Sequence, residues 1–250
     1  MVAPPMQEFI LGWLRHAAFP DPTYPVNQVA TVYYDTPHLE AFNEAVEGDL
    51  VKRKVRVRWY DSPPAGQRVP VYLELKAKEG TITSKRRKQV SLPASATQEM
   101  AHADIVGPGE RERTLAEWGY RPPALLLPVV FIVYRRYRFR EASSGLGVNY
   151  DVGIASSLLL EGVLRRPCMT LPCTILEVKG HSLVFPPTLR GLQRFLSPWT
   201  AFSKYVACLD LHVGRGGPLV WPGIEPRQFQ IRKMEETYAV AGYSQSFPSF

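Results

Sequence analysis

The sequence predicts an α+β protein built on antiparallel strands, and three observations carry that prediction. Charged and apolar residues alternate in several segments at the two-residue period of a β-strand. Stretches rich in Pro and Gly separate neighbouring segments of this kind, as in hairpins. Shorter segments show the spacing of amphipathic helices. The chain has 250 residues, of which 45% are hydrophobic, so it is long enough to bury the core of one large domain.

An amphipathic helix is predicted at the start of the chain. In residues 6–17 apolar side chains recur at helical spacing. Residues 29–34 form a strand. Asp35 and the two residues after it have the pattern of a cap and first turn, which predicts a short helix over residues 38–46 that ends at Gly48.

The later elements follow from the same signals. The predicted strands are residues 51–60, 71–78, 85–92, 129–140, 147–152 and 175–180. The predicted helices are residues 111–118, 189–196 and 203–211. A Pro/Gly loop over residues 62–68 joins the first two strands in a long hairpin, and a turn at residues 143–145 joins a second one.

Cations dominate one face of these strands. In the strand VKRKVRVRWY every second residue is basic, from Lys52 to Arg58, and the residues between them are mostly apolar. A single such strand is typical of a half-buried strand with its charges in water. Several together favour another interpretation, because like charges on neighbouring strands destabilise their pairing. A face with this surplus fits a polyanion, and the planar fork of Arg matches phosphate oxygens two at a time.

Composition limits the class of protein further. The formal net charge of +7 favours anionic partners, which include phosphates, nucleic acid and acidic membranes. The three cysteines are too few and wrongly spaced for a zinc site, so we expect buried thiols in a reducing compartment. No segment has the length or hydrophobicity of a transmembrane helix, and the N-terminus lacks a secretory signal. We therefore expect a cytoplasmic protein.

An ordered series of motifs carries a resemblance to a known family. The motifs VYYDTP, KVRVRWY, LELKAK, SKRRKQVSL, YRRYRF, VNYDVGI, ILEVKG and SKY follow one another between residues 29 and 211. Each is weak alone, but the series resembles the VTC (vacuolar transporter chaperone) domain, a polyphosphate polymerase-like member of the CYTH-like triphosphate tunnel metalloenzymes. The resemblance covers most of the chain.

The resemblance implies a fold and an activity. The fold would be a closed antiparallel β-barrel over residues 1–213, with a cationic tunnel inside and helices packed outside, followed by a C-terminal tail over residues 214–250. Eukaryotic members transfer the terminal phosphoryl group of ATP onto a growing polyphosphate chain with a divalent metal. The implied partners are therefore ATP or another triphosphate, polyphosphate, and Mn²⁺ or Mg²⁺.

The same motifs imply individual roles. The implied phosphate-binding residues are Arg56, Arg58, Lys76, Lys85, Arg87, Arg136, Arg138, Ser203 and Lys204. The implied catalytic residues are Arg56, Arg58, Lys76, Arg136 and Glu177. Glu177 would be a metal ligand, and Glu74 either a second metal ligand or a salt-bridge partner.

Plainer roles remain open for some of these residues. The plainer role for Glu177 is an ion pair with Lys179 or with a facing Arg. Asp151 would fix a turn or an Arg side chain, or else touch the metal. Ser203 has the alternative of capping the last helix, where the exposed N–H groups would form an anion site beside Lys204.

The sequence departs from the family pattern in two places. The usual first strand, with its Glu-x-Lys-Tyr motif, has no counterpart before the first helix, so we expect either an open seam in the barrel or closure by another segment such as the tail after Gly214. Gly147 stands where related sequences tend to have Arg.

Two classes of function are compatible with this sequence. The first is metal-dependent phosphoryl transfer, either polyphosphate synthesis from ATP or hydrolysis by a triphosphatase. The second is a non-catalytic domain that binds or senses polyphosphate. A specific nucleic-acid partner is not expected, because neither a groove-reading helix nor an aromatic stacking platform is evident.

Overall fold

One antiparallel sheet organises the described part of the protein. The computed structural model describes residues 6–61, 66–95, 105–159, 168–180, 185–196 and 202–216, and within them nine strands form this sheet. The strands are β1 (Ala18–Pro20), β2 (Val26–Asp35), β3 (Val51–Tyr60), β4 (Arg68–Glu79), β5 (Ile82–Pro93), β6 (Leu127–Glu141), β7 (Gly147–Leu158), β8 (Met169–Thr170) and β9 (Ile175–Lys179). The helices are α1 (Gln7–Ala17), α2 (Glu40–Glu47), α3 (Pro108–Glu117), a 3₁₀ helix (Pro187–Phe195) and α4 (Lys204–Gly216).

The strand order is β5-β4-β3-β2-β6-β7, with both β8 and β9 paired to β7 and β1 paired to the end of β6. The β4–β5 turn is tight, and Gly80 in it has φ 57°, a left-handed conformation that glycine adopts without strain. No described ladder joins β5 to β9. The antiparallel sheet is therefore confirmed, whereas its closure into a barrel stays a prediction.

Different helices pack against the two faces of the sheet. The apolar side of β3 and β4, with Val57 and Leu73, packs in one cluster with Leu115 of α3. The side of β6 and β7 that carries Phe139 and Tyr150 packs against α1 and the 3₁₀ helix. In contrast, α4 packs against Tyr33 and Tyr134, which lie on the same side of the sheet as the cations. The prediction that helices pack outside the cationic face is therefore wrong for α4.

A carboxylate anchors the β6–β7 hairpin to the 3₁₀ helix. Glu141 is buried and accepts hydrogen bonds from the backbone N–H groups of Ser143 (3.1 Å) and Ser144 (2.6 Å) and from the hydroxyl of Thr188. Burial would raise the pKa of Glu141, but hydrogen bonds from the side chain of Ser144, then from Thr188 and the Ser144 backbone, hold it at about 2. The turn at residues 143–145 thereby forms as predicted.

The sequence analysis did not predict two short strands, β1 and β8. Strand β1 has three residues and includes Pro20, and β8 has two, so neither is long enough to show an alternating pattern. The predicted helix over residues 189–196 is a 3₁₀ helix. Helix α4 runs to Gly216, and the rest of the predicted tail lies outside the described residues.

Two further expectations have a structural counterpart. None of the described helices combines the length and the hydrophobicity needed to span a membrane. The three cysteines are free, but only Cys208 is buried, since Cys173 is half-buried and Cys168 is exposed. The prediction of buried thiols therefore holds for one of the three.

We predict that a methyl group at Gly191 destabilises the protein. A Cβ there would lie 2.5 Å from the ring of Trp13, whose indole N–H donates to the carbonyl of Thr188 at 3.0 Å and so resists displacement. Gly191→Ala should lower the free energy of unfolding by about 1–3 kcal/mol, measured by urea denaturation. The matched control is Gly12→Ala in α1, where no atom lies within 4 Å of the added Cβ. This control should be neutral or stabilising by up to about 1 kcal/mol, and equal losses for both variants would contradict the packing argument.

Candidate functional site

The strand register brings the predicted cations together on one face. Arg56 of β3 lies opposite Glu74 of β4, and Glu74 lies opposite Arg87 of β5. One step along, Lys76 lies opposite both Lys54 and Lys85. Residues directly opposite in an antiparallel ladder point to the same side of the sheet. The alternation seen in the sequence therefore becomes a continuous cationic surface across three strands.

Glu74 holds three cations in place. Its carboxylate lies 2.7 Å from Arg56 Nε, 2.7 Å from Lys85 Nζ and 3.1 Å from Arg87 Nε, and it is fully buried. Burial would raise the pKa of Glu74, but the neighbouring cations, led by Arg56, hold it at about 2. We call Glu74 with Arg56, Lys85 and Arg87 the Glu74 cluster.

Tyrosines line the Glu74 cluster. The guanidinium of Arg87 lies 3.5 Å from the ring centroid of Tyr72, and its Nη2 donates to the hydroxyl of Tyr60 at 3.5 Å. The guanidinium of Arg138 lies 5.5 Å from the same Tyr60 ring and donates to the side chain of Asn27. Such stacking restricts each guanidinium to a plane. Tyr60 and Tyr72 occupy the same alternate positions as the cations, which is the signal that the sequence analysis did not use.

Arg58 is a buried cation with an unusual environment. It is 6% exposed, and its Nε donates to Thr31 Oγ1 at 3.1 Å. Among the described residues no carboxylate lies within 4.0 Å of its guanidinium. An ionised group in this position is costly unless an anion compensates it.

A second cluster centres on Asp151 of β7. Arg136 Nε and Nη2 donate to its two oxygens at 2.6 and 2.7 Å, and Lys204 Nζ of α4 lies 2.7 Å from Oδ2. Burial would raise the pKa of Asp151, but Lys204 and Arg136 hold it below its ordinary value. Burial likewise disfavours the charged form of Lys204, but the pair with Asp151 raises the pKa of Lys204. We call these three residues the Asp151 cluster. Among the roles predicted for Asp151, the structure shows the one in which it fixes an Arg side chain.

Glu177 of β9 is placed differently from the other two carboxylates. Its side chain is 44% exposed, and its Oε2 accepts a hydrogen bond from Asn149 Nδ2 at 3.1 Å and lies 3.5 Å from Arg136 Nη2. Burial would raise the pKa of Glu177, but Arg136 and Lys179 lower it overall. The predicted alternative of pairing with a facing Arg is thus present, yet the carboxylate stays accessible.

The start of α4 completes the surface. Ser203 Oγ accepts a hydrogen bond from Lys54 Nζ at 2.8 Å and from the backbone N–H of Val206 at 3.4 Å, so it also has its predicted capping contact. Lys54 was not among the predicted site residues. Lys76 is exposed and belongs to neither cluster.

The carboxylates on this face limit where a metal ion could bind. Mg²⁺ and Mn²⁺ sites that bind phosphate substrates need one or two carboxylates, with phosphate oxygens and water as the other ligands. The accessible carboxylate of Glu177 fits this requirement. Glu74 fits its salt-bridge alternative better, because three cations engage its oxygens. Within the described residues no three His, Cys, Asp or Glu side chains converge as a metal site, so both ligand assignments stay predictions.

Comparison with known protein families identifies the family of this chain. A model of the VTC domain matches residues 4–213. The chain belongs to the VTC domain family. The match extends over the Glu74 cluster, Arg58, the Asp151 cluster and Glu177, so every predicted site residue lies inside the VTC domain. No curated protein matches the chain.

We predict that Glu74 has a large and acid-sensitive effect on stability. Glu74→Gln leaves three cations facing a neutral amide and should cost about 2–3 kcal/mol at pH 7, less than for a fully buried pair because Lys85 and Arg87 are partly exposed. Since the folded-state pKa is depressed, Glu74 stabilises the fold above pH 4.5, and this contribution is lost as the pH falls towards about 2.

Urea denaturation at pH 7 and pH 3 measures both effects. The variant should differ less from the wild type at pH 3 than at pH 7. Glu79→Gln, an exposed position on the same strand, removes the same charge and serves as the control. If the two variants lost equal stability at pH 7, the Glu74 cluster would not be the stabilising ion cluster described above.

Proposed function

We propose that the cationic face of this VTC domain binds the phosphate chain of a triphosphate or polyphosphate and carries metal-dependent phosphoryl transfer, foremost the synthesis of polyphosphate from ATP. Membership of the VTC family indicates a function related to polyphosphate. The single observation that carries the proposal is Arg58, a buried guanidinium that no described carboxylate contacts, on the same face of the sheet as two clusters of further cations.

The lowered pKa values of Tyr33 and Lys54 support a strongly positive site. Burial would raise the pKa of the Tyr33 phenol, yet the pKa is lowered, because Arg56, Arg58 and Lys204 surround it. Burial and then the repulsion of Lys76, Lys52 and Arg56 lower the pKa of Lys54. Cations from β3 and α4 therefore converge, and a bound polyanion would relieve their repulsion.

A tunnel is the shape that we propose for this site. Strand β5 is at one end of the described sheet, and β9 is paired to β7 at the other. Burial, then Arg136 and Arg138, and last Lys85 of β5 lower the pKa of Lys179 of β9, so charges from both ends of the sheet act on one another. Edges that approach in this way would enclose the cationic face as the lumen of a barrel. A phosphate chain inside would meet cations from several strands at once.

The chemistry follows from positioning and charge. Phosphoryl transfer places negative charge on the oxygens of the transferred group and on the leaving oxygen, so fixed cations stabilise it. Arg56 and Arg136 are held rigid by Glu74 and Asp151, and Lys76 and Lys85 remain accessible. A divalent ion bound by Glu177 and phosphate oxygens would supply further neutralisation of that charge.

A second candidate function is non-catalytic binding of polyphosphate. The observation that favours it is the small number of carboxylates that could bind a metal ion. Cations contact Glu74 and Asp151, so Glu177 is the accessible carboxylate among the three. A triphosphatase differs from the proposed polymerase only in that water accepts the phosphoryl group.

One experiment separates these functions. The purified protein is incubated with ATP and Mn²⁺, and the products are separated on a gel stained for polyphosphate, with free phosphate measured in parallel. Long chains support the proposal. Free phosphate without chains indicates a triphosphatase, and neither product, in a protein that binds tripolyphosphate, indicates a binding domain.

We predict that tripolyphosphate stabilises the protein through Arg58. A ligand that binds the folded state at 100 times its dissociation constant contributes about 2.7 kcal/mol, and added salt should weaken the effect. Arg58→Gln should lose at least half of the ligand-induced rise in melting temperature. Without ligand it should melt within a few degrees of the wild type, since the removal of a buried charge that no described carboxylate contacts offsets the loss of its hydrogen bond to Thr31.

Thermal denaturation at low salt, with and without tripolyphosphate, tests this expectation. The control is Arg135→Gln, which removes the same charge from an exposed position on β6. It should retain nearly the whole ligand effect. No shift of the wild type with tripolyphosphate would refute phosphate binding at this face.

We also predict that Glu177 separates turnover from binding. Glu177→Gln keeps the size of the side chain and removes the charge that a hard divalent cation needs. Mn²⁺-dependent turnover should fall at least about 100-fold while tripolyphosphate affinity stays within about threefold, read as a loss in kcat. Turnover assays and calorimetry on the same preparations provide both numbers. Full retention of Mn²⁺-dependent turnover would exclude Glu177 as a metal ligand.

A further inference from the structure

Three consecutive residues at the start of α4 attach this helix to three different strands. Ser203 accepts from Lys54 of β3 at 2.8 Å, Lys204 pairs with Asp151 of β7 at 2.7 Å, and the hydroxyl of Tyr205 donates to Asp35 of β2 at 2.6 Å. The first two contacts belong to the cationic site. The third lies outside it, and no role in phosphate binding has been assigned to it so far.

We propose that Asp35 and Tyr205 are positioning residues that hold Lys204 in the phosphate site. This inference rests on the proposed phosphate-binding function. Neither residue carries a positive charge or contributes a phosphate ligand. They act by fixing the place where α4 begins, and thereby the place of the Lys204 ammonium group.

Asp35 is a rigid acceptor. It is 1% exposed, and four donors saturate its oxygens: the backbone N–H groups of Thr36 (2.8 Å), Ala41 (3.0 Å) and Phe42 (3.0 Å), and the Tyr205 hydroxyl. Two of these N–H groups belong to the first turn of α2. The carboxylate is therefore tied to β2 and α2 at the same time, and cannot follow a displaced tyrosine.

The ring of Tyr205 is equally constrained. It stacks on Tyr33 with 5.1 Å between centroids and an angle of 20°, and it meets the ring of Phe42 edge-on at 6.3 Å. The Tyr33 hydroxyl in turn accepts a hydrogen bond from Arg56 Nη1 at 3.2 Å. Tyr205 thus lies between the Glu74 cluster and the Asp151 cluster, and its hydroxyl is the group that sets its position along the stack.

The position of Lys204 follows from that of its neighbour. Adjacent residues of a helix move together, so a shift of Tyr205 moves the backbone from which Lys204 reaches Asp151. A site that binds phosphate through fixed cations loses affinity when a cation is misplaced by about 1 Å. Removing the Tyr205 hydroxyl should therefore weaken phosphate binding although every cation remains.

The test is a double-mutant cycle on tripolyphosphate affinity, measured by calorimetry on the full chain. Tyr205→Phe should weaken binding about tenfold in the wild type, because the Lys204 ammonium group is then held less precisely against the phosphate chain. In a Lys204→Gln background it should weaken binding less than about twofold, because a residue that acts through Lys204 has nothing to position once Lys204 is gone.

Tyr150→Phe is the matched control. Tyr150 is buried on the other face of the sheet, and its hydroxyl makes a 2.9 Å hydrogen bond with Thr174. Its loss should lower the melting temperature to a similar extent. It should leave tripolyphosphate affinity within about twofold in both backgrounds, because it does not face Lys204.

Each outcome decides something. Equal weakening by Tyr205→Phe with and without Lys204, or weakening by Tyr150→Phe of the same size, overturns the inference and leaves a general effect of stability. A wild type that binds no tripolyphosphate overturns the proposed function instead. If Tyr205→Phe does not fold, Asp35→Asn takes its place in the cycle with the same expected coupling to Lys204.

Discussion

The accumulation of positive charge on one face of a sheet is the constraint on which the rest of this structure depends. Like charges on neighbouring strands repel one another, and burying them adds a cost of desolvation. The fold meets this constraint with two buried carboxylates. Glu74 holds cations from β3 and β5, and Asp151 holds one from β6 and one from α4. These two acids stabilise the sheet and also fix the cations in defined positions.

The arrangement divides the carboxylates into two kinds. Glu74 and Asp151 have depressed pKa values because cations surround them, so they stay ionised over the whole physiological range. Glu177 is exposed enough to accept another ligand. The cations outnumber the acids that neutralise them, and no described carboxylate lies within 4.0 Å of Arg58. The charge distribution that stabilises the sheet is thus the same one on which the proposed phosphate binding rests.

Helix α4 shows how the fold makes the site depend on distant parts of the chain. Its first residues contact β2, β3 and β7, and its apolar side packs into the core beside Tyr33 and Tyr134. The cationic face is therefore not an open surface. It has a helix against it that contributes a cation of its own, and this helix is held through contacts that carry no phosphate chemistry themselves.

The sequence by itself determined seven of the nine described strands, their cationic face and the family, because these depend on patterns that repeat every two residues and on motifs of a few residues in order. It also placed Arg56, Glu74 and Arg136 on that face. Only the tertiary structure decided which carboxylate holds which cation, and that α4 lies on the cationic face. Asp35 and Tyr205 are 170 residues apart, and the three-residue strand β1 pairs with β6 across more than half of the described chain. No local period encodes contacts of that kind, since they arise when buried polar groups must find partners in a packed interior.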